Sequence, residues 1–158
     1  MTSRLQKLVF LLLLSPGLAL AADAEAGKTL YGTCVACHGA NAEGNAALLA
    51  PGLAGQSESY LVRQLWDFKN GRRGGDSNDT AGAQMRPMAL ALADGEAIAN
   101  VSAYLASLPA NVPVATDDGD AENGQKQFTS KCGACHGGQG WGNEALYTPR
   151  LTVVGDSY

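Results

Sequence analysis

The chain has 158 residues, of which 46% are hydrophobic, 16% charged and 6% aromatic, and its formal net charge is −4. This balance is typical of a globular protein and excludes a disordered chain or one with several membrane spans. The net negative charge argues against a nucleic-acid partner, because no basic stripe is present to neutralise phosphates. Length alone predicts a single domain and excludes a large multidomain enzyme.

Residues 1–21 have the features of a secretory signal peptide. Arg4 and Lys7 precede the apolar run 8–14, and the small residues 19–21 supply a cleavage site. The apolar run is shorter than the about 20 residues that a transmembrane helix needs, and an uncleaved anchor is the alternative. Cleavage leaves nine basic against fifteen acidic residues, a net charge of −6. We therefore expect a periplasmic protein with no stable membrane insertion after cleavage.

Three helices are predicted after the signal peptide, and no strand pattern is present. The first spans 23–37, and the second runs to residue 70 from its N-cap, Ser57. The glycine-rich, polar segment 71–84 is predicted to be a loop. The last helix covers 93–107, where the apolar residues follow one helical stripe. The predicted class is therefore all-α.

An internal repeat organises the chain. Residues 34–60 align without a gap with residues 132–158, 98 positions later, and 13 of the 27 pairs are identical. Such self-similarity indicates a tandem duplication. The first copy continues for nearly 50 residues beyond this match and the second does not. An unfinished repeat does not close a core around a cofactor, so we expect a fragment of a longer gene product. The predicted divisions are a signal peptide at 1–21, a first domain at 22–108, a linker at 109–120 and a truncated second domain at 121–158.

Both copies contain the pattern Cys-x-x-Cys-His, and these two motifs hold every cysteine and histidine of the chain. On a helix, positions i and i+3 share a face. Two thiols at this spacing reach the two vinyl groups of one porphyrin, and the adjacent imidazole is directed at the iron. This spacing is the sequence mark of c-type haem attachment. The residues concerned are Cys34, Cys37 and His38 in the first copy and Cys132, Cys135 and His136 in the second.

Three other uses of paired cysteines fit less well. A thioredoxin-like redox pair follows a strand in a βαβ unit, and no strand pattern precedes either motif. A four-cysteine zinc site separates its pairs by about 15–20 residues, whereas 94 residues lie between Cys37 and Cys132. Structural disulfides give no reason for a histidine after each pair.

The sixth iron ligand is predicted to be a methionine. Both histidines are used as proximal ligands, which excludes a bis-histidine haem within this chain. Thioether sulfur suits haem iron. After cleavage of the signal peptide only Met85 and Met88 remain, in the segment before the last predicted helix.

The segments 34–39, 51–56, 85–89 and 104–105 together resemble a class I cytochrome c, and the tandem arrangement is similar to the dihaem cytochromes c4. The resemblance covers 27–108, and in the second copy it extends to residue 158. It implies the class I cytochrome c fold and two haem c groups per full chain. It also implies that Met85 is the axial ligand, with Met88 as the alternative. It implies that the carbonyls of Pro51 and Pro149 are the partners of the proximal histidines. It further implies that the first and last helices cross at Gly27, Tyr31 and Tyr104.

Histidine–methionine ligation leaves no open iron position, so we expect an electron carrier without catalytic residues. The expected partners are a quinol-oxidising complex such as quinol-cytochrome c reductase and a terminal oxidase or reductase. A dihaem peroxidase and a cytochrome subunit of a membrane dehydrogenase are the alternatives, because the second copy shows no methionine ligand. A cluster of basic residues forms either a docking face or a solvated surface. Its members are Arg63, Lys69, Arg72, Arg73 and Arg86.

Overall fold

The structure is a computed structural model that describes residues 21–115, 118–156 and 158. Most of the predicted signal peptide, 1–20, lies outside these described residues. The helices, in chain order, are α1 (Ala24–Tyr31), α2 (Val35–His38), α3 (Glu58–Lys69), α4 (Thr80–Ala91), α5 (Gly95–Ser107), α6 (Ala121–Lys131) and α7 (Gly133–His136).

Within the described ranges, β pairing is limited to two isolated bridges, Asn45 with Ala50 and Asn143 with Thr148. The predicted all-α class is therefore confirmed. None of the helices described is long and apolar enough to cross a bilayer.

Polar side chains define where the helices begin. Ser57 caps α3 by accepting a hydrogen bond from the Tyr60 amide, as the sequence predicts. Asp94 caps α5 in the same way through the Ala97 amide, so this helix begins two residues later than expected. An N-cap side chain of this kind satisfies an amide that has no partner within the helix. The second and third predicted helices are thus correct within two residues at their starts.

The first predicted helix is divided into two. The chain leaves the helix after Tyr31, turns through residues 32–34 and resumes at Val35. Gly32 has a low helix propensity, and the β-branched Thr33 also has a lower helix propensity than alanine or leucine. Because of this break, Cys34 sits at the N-cap of the short helix that holds Cys37 and His38.

The predicted loop at 71–84 is wrong for its last residues, and both methionines lie in a helix. Helix α4 begins at Thr80, and the Asp79 carboxylate accepts hydrogen bonds from the amides of Gly82 and Gly74. Pro87 lies inside this helix, where it removes one backbone hydrogen bond. Only Gly82 and Ala89 are buried in α4, so its sequence lacks the apolar stripe by which the other helices are recognised.

Helices α1 and α5 cross at a point where backbone meets backbone. A Cβ atom placed on Gly27 would lie 1.9 Å from the Asn100 carbonyl oxygen. One turn further along, the rings of Tyr31 and Tyr104 contact each other with centroids 5.6 Å apart. The Asn100 side chain also accepts a hydrogen bond of 2.8 Å from the Asp23 amide. The crossing of Gly27, Tyr31 and Tyr104 that the resemblance implies is therefore present.

The described part of the second copy's repeated segment packs against the first copy. Val153 is fully buried, and its carbonyl oxygen would lie 2.2 Å from a Cβ atom on Gly52. The backbones of the two copies therefore approach so closely at Gly52 that no larger residue fits there. Val154 and Tyr158 extend this contact to the edge of a cleft in the first copy.

Candidate functional site

One cleft in the first copy is lined by the cysteines, the histidine and the methionines that the sequence predicts as its haem-binding residues. Cys34, Cys37 and His38 line it together with Met85 and Met88. Helix α2 supplies Cys37 and His38, its N-cap residue is Cys34, and α4 supplies both methionines. The remaining walls are largely apolar and include Leu53, Leu61, Leu65, Phe68 and Leu105.

His38 is held in one orientation by a backbone carbonyl. Its side chain is 6% exposed, and its Nδ1 atom lies 2.9 Å from the Pro51 carbonyl oxygen. A carbonyl only accepts hydrogen bonds, so Nδ1 carries the proton and Nε2 keeps its lone pair. Burial lowers the pKa of His38, and the hydrogen bond to Pro51 opposes this shift. The neutral imidazole with a free Nε2 is the form that binds a metal.

The loop between His38 and Pro51 depends on unusual backbone angles. Gly44 has φ of +88°, and a Cβ atom there would lie 2.6 Å from the Gly52 nitrogen. Leu49 adopts the left-handed conformation with φ of 52°, which is uncommon for a residue with a side chain. The bridge between Asn45 and Ala50 closes the loop. This geometry returns Pro51 to the imidazole of His38.

The thiols of Cys34 and Cys37 are both free. Burial raises the pKa of the Cys34 thiol, which favours its neutral form at physiological pH. The two thiols flank an apolar cleft that also contains one available imidazole nitrogen and two thioethers. This donor set fits a haem attached through two thioether bonds, and it does not fit a zinc site with four thiolates.

The second copy repeats the histidine geometry in a more exposed setting. His136 Nδ1 lies 3.2 Å from the Pro149 carbonyl oxygen, and both Cys132 and Cys135 are exposed free thiols. No methionine follows Met88 in the sequence. The structure thus brings together the predicted second-copy residues Cys132, Cys135, His136 and Pro149 without showing a sixth ligand.

The basic cluster is largely engaged within the chain. Arg72 pairs with Asp67, and Lys69 donates to the carbonyl oxygen of Leu92 at 2.6 Å. Arg73 stacks on the Phe68 ring. These contacts favour a structural role for the cluster over a docking face.

Sequence reasoning did not assign a contact to the buried polar residue Gln56. Gln56 is only 1% exposed, and its carboxamide hydrogen-bonds the backbone of Arg150 in the second copy. The repeat offered a signal, because the residue matching Gln56 in the second copy is Val154. A polar residue at one of two matching positions indicates a contact that only one copy makes.

Comparison with known proteins defines the class to which this fold and site belong. Residues 24–109, more than half of the chain, match the family model of cytochrome c. The chain therefore belongs to the cytochrome c family, whose members bind haem c and transfer electrons.

Within this family the chain is similar to cytochromes c4. It is 35% identical to cytochrome c4 from Thiocapsa roseopersicina over 147 residues, which cover 86% of this chain and 70% of the relative. The crystal structure of reduced cytochrome c4 from Pseudomonas stutzeri matches with a TM-score of 0.69 and 34% identity, covering 83% of this chain and 73% of that one. The predicted fold, haem c and electron-transfer function are therefore confirmed.

A third relative has a more specific name. The thiosulfate dehydrogenase electron acceptor of Stutzerimonas stutzeri (strain A1501) is 34% identical over 151 residues. The match covers 84% of this chain and 66% of that protein.

Proposed function

We propose that this chain is a periplasmic dihaem electron carrier that moves single electrons between redox proteins. Bound haem supplies a one-electron couple, and the chain supplies its attachment, its axial ligands and an apolar surround. Cys34 and Cys37 attach the first haem, with His38 and Met85 as its axial ligands. Cys132 and Cys135 attach the second haem, and His136 is its proximal ligand.

The observation that carries this proposal is the orientation of His38 in its cleft. The hydrogen bond from Nδ1 to Pro51 leaves Nε2 as the available nitrogen, and such a bond also makes the imidazole a stronger donor. Met85 lines the same cleft and is half-buried. A haem held by both His38 and Met85 would have no iron position open for a substrate, so it would supply one-electron chemistry.

The rim of the cleft supports electron transfer by surface contact. Leu48, Leu49 and Met88 line the cleft, and their side chains are 47%, 53% and 46% exposed. Apolar side chains around a cofactor edge allow a partner to approach closely and to exclude water. Transient redox contacts are small and do not require a large interface. We therefore place the docking surface at this rim and not at the basic cluster.

Two electron donors are candidates for this carrier. The predicted pair of partners is a quinol-cytochrome c reductase as donor and a terminal oxidase as acceptor. The likeness to a thiosulfate dehydrogenase electron acceptor supports a second candidate, in which a periplasmic dehydrogenase is the donor. Both candidates use the same site and differ only in the partner that docks on it.

The test is rapid-mixing kinetics with the haem-loaded protein, after haem per chain has been measured. We expect reduction by quinol-cytochrome c reductase with quinol, or by thiosulfate dehydrogenase with thiosulfate, followed by reoxidation with a terminal oxidase. The faster donor identifies the partner class. Failure of reduction by both donors contradicts the carrier proposal, and so does turnover of peroxide by the protein alone, which indicates the peroxidase alternative.

A further inference from the structure

A hydrogen-bonded chain connects Gln56 in the first copy to His136 in the second. The Arg150 amide donates to Gln56 Oε1 at 2.7 Å. The Pro149 carbonyl, which accepts from His136 Nδ1 at 3.2 Å, belongs to the same peptide group as the Arg150 amide. One peptide unit therefore accepts from the histidine at its oxygen and donates to Gln56 at its nitrogen.

The Gln56 side chain is fixed in this position. It is 1% exposed, its Nε2 atom donates to the Arg150 carbonyl at 2.9 Å, and its Oε1 atom also accepts from the Ser57 amide at 2.9 Å. These bonds use the carboxamide at both ends, so the side chain cannot rotate without losing buried hydrogen bonds. Gln56 thus holds the Pro149–Arg150 peptide from outside its own copy.

Chains of hydrogen bonds strengthen one another, because each bond polarises the next. An acceptor on the Arg150 amide makes the Pro149 carbonyl a better acceptor for the His136 proton. A stronger bond at Nδ1 makes Nε2 a better donor to iron. Better donation stabilises the oxidised iron and lowers the reduction potential, for which hydrogen bonding around the ligands is a recognised lever.

The arrangement works in one direction only. The position that matches Gln56 is Val154, whose side chain has no group that accepts a hydrogen bond. The second copy therefore offers no matching side chain to the Pro51–Gly52 peptide behind His38. The hydrogen-bonded chain from Gln56 to His136 therefore makes the two histidine sites different, although their local sequences are otherwise closely similar.

We propose that Gln56 is a positioning residue that lowers the reduction potential of the haem at His136 through the Pro149–Arg150 peptide. This inference rests on the proposed function, because it requires a haem on the second motif. The first copy thereby sets the potential difference between the two haems, and it favours electron flow toward the first haem.

The test is an NMR-monitored redox titration of the protein carrying both haems, which assigns a potential to each. In Gln56→Met, a side chain of similar length without the carboxamide, we expect the ferrous-to-ferric ratio of the second haem to rise about twofold at fixed applied potential. At 59 mV per tenfold change, this equals a rise of roughly 20 mV. The first haem is the internal reference and keeps its potential. The His136 Nδ1 proton moves upfield in the reduced variant, because its hydrogen bond is weaker.

Ser59→Ala is the matched control. It removes the hydrogen bond from Ser59 to Glu144 between the same two copies and leaves the Pro149–Arg150 peptide untouched. We expect both potentials to remain unchanged in this variant. An equal shift in Ser59→Ala, or an equal shift of both haems in Gln56→Met, would overturn the proposal.

Two further measurements keep the outcomes distinct. A scalar coupling across the hydrogen bond between the Arg150 nitrogen and the Gln56 carboxamide carbon is expected in the unaltered protein, and its absence would overturn the proposal even if the variant does not fold. Mass spectrometry first shows whether haem is attached to Cys132 and Cys135. A missing second haem contradicts the proposed function itself, whereas an attached haem with an unchanged potential in Gln56→Met contradicts only the proposed role of Gln56.

Discussion

The loops that follow the two Cys-x-x-Cys-His motifs adopt nearly the same conformation. Leu49 and Tyr147 occupy matching positions and have left-handed φ angles of 52° and 54°. Asn45 and Asn143 begin the two 3-10 turns with φ angles of −149° and −147°. The histidine-to-proline distances are 2.9 Å and 3.2 Å. The local sequence is thus sufficient to specify this loop.

The two loops differ in what covers them. In the first copy, α3, α4 and α5 close a cleft over the motif, and His38 is 6% exposed. In the second copy His136 is only half-buried, and Val153 is buried against the first copy instead. The comparison shows that the short motif and its loop determine the position of the ligands, whereas the packing of more distant helices determines their burial.

The largest expected effect comes from removing one attachment site at a time. Replacing Cys132 and Cys135 together with alanine removes one haem and leaves the first haem with its spectrum intact, because the cleft around His38 does not depend on those thiols. Replacing Cys34 and Cys37 with alanine removes the other haem and empties the apolar cleft. We therefore expect this second variant to be the less stable one.

Haem content by mass spectrometry and stability by urea unfolding check both variants. Retention of two attached haems in either double variant contradicts the assignment of the thiols. Equal stability of the two variants contradicts the difference in burial between the copies.

The next effect concerns the sixth ligand of the first haem, for which Met85 is the predicted residue and Met88 the alternative. Met85→Ala removes the thioether proposed as the second axial ligand and is expected to convert the first haem from low-spin to high-spin, with rapid binding of carbon monoxide to the reduced protein. Met88, which is 46% exposed, is the control, and Met88→Ala is expected to keep the low-spin spectrum. The reverse result would identify Met88 as the ligand. Optical spectra before and after addition of carbon monoxide distinguish the two cases.

A pair of matching glycines tests the helix crossing. A Cβ atom on Gly27 would lie 1.9 Å from the Asn100 oxygen, whereas one on Gly124 would meet nothing within 4 Å. Gly27→Ala is expected to destabilise the protein by about 1–3 kcal/mol, because backbone must move to accommodate the methyl group. Gly124→Ala is expected to stabilise α6 by about 0.5–1 kcal/mol through helix propensity alone.

Urea unfolding of the haem-loaded protein, followed by circular dichroism, measures both changes in the free energy of unfolding. Opposite signs for the two variants support the difference in packing. A destabilisation of similar size in both variants would mean that α6 is packed as tightly as α1.

The sequence was sufficient for features that depend on local chemistry. The motif residues and the cap at Ser57 are each specified by a few neighbouring side chains. The crossing at Gly27 was implied by the resemblance, because its partner Asn100 lies on a distant helix. The helix around Met85 was missed because Pro87 and a weak apolar pattern conceal it, and its start depends on Asp79 binding two amides. The role of Gln56 was missed because its partners are in the other copy, 94 residues away along the chain.

The smallest expected effect is a pH dependence of the contact between the copies. Hydrogen bonds from Ser57 and Ser59 hold the pKa of Glu144 below its ordinary value of 4.5, and the matching residue in the first copy is Ala46. The folded state therefore favours the ionised carboxylate, so its stabilisation is complete above about pH 4.5 and is lost as the pH falls through the lower, folded-state pKa.

Because the carboxylate is largely solvated, we expect Glu144→Gln to cost less than about 1 kcal/mol at neutral pH and to flatten the acid side of the stability profile. Glu122→Gln, which removes a carboxylate paired with Lys126 inside α6, is the control, and an identical change in its profile would show that Glu144 does not act through the first copy.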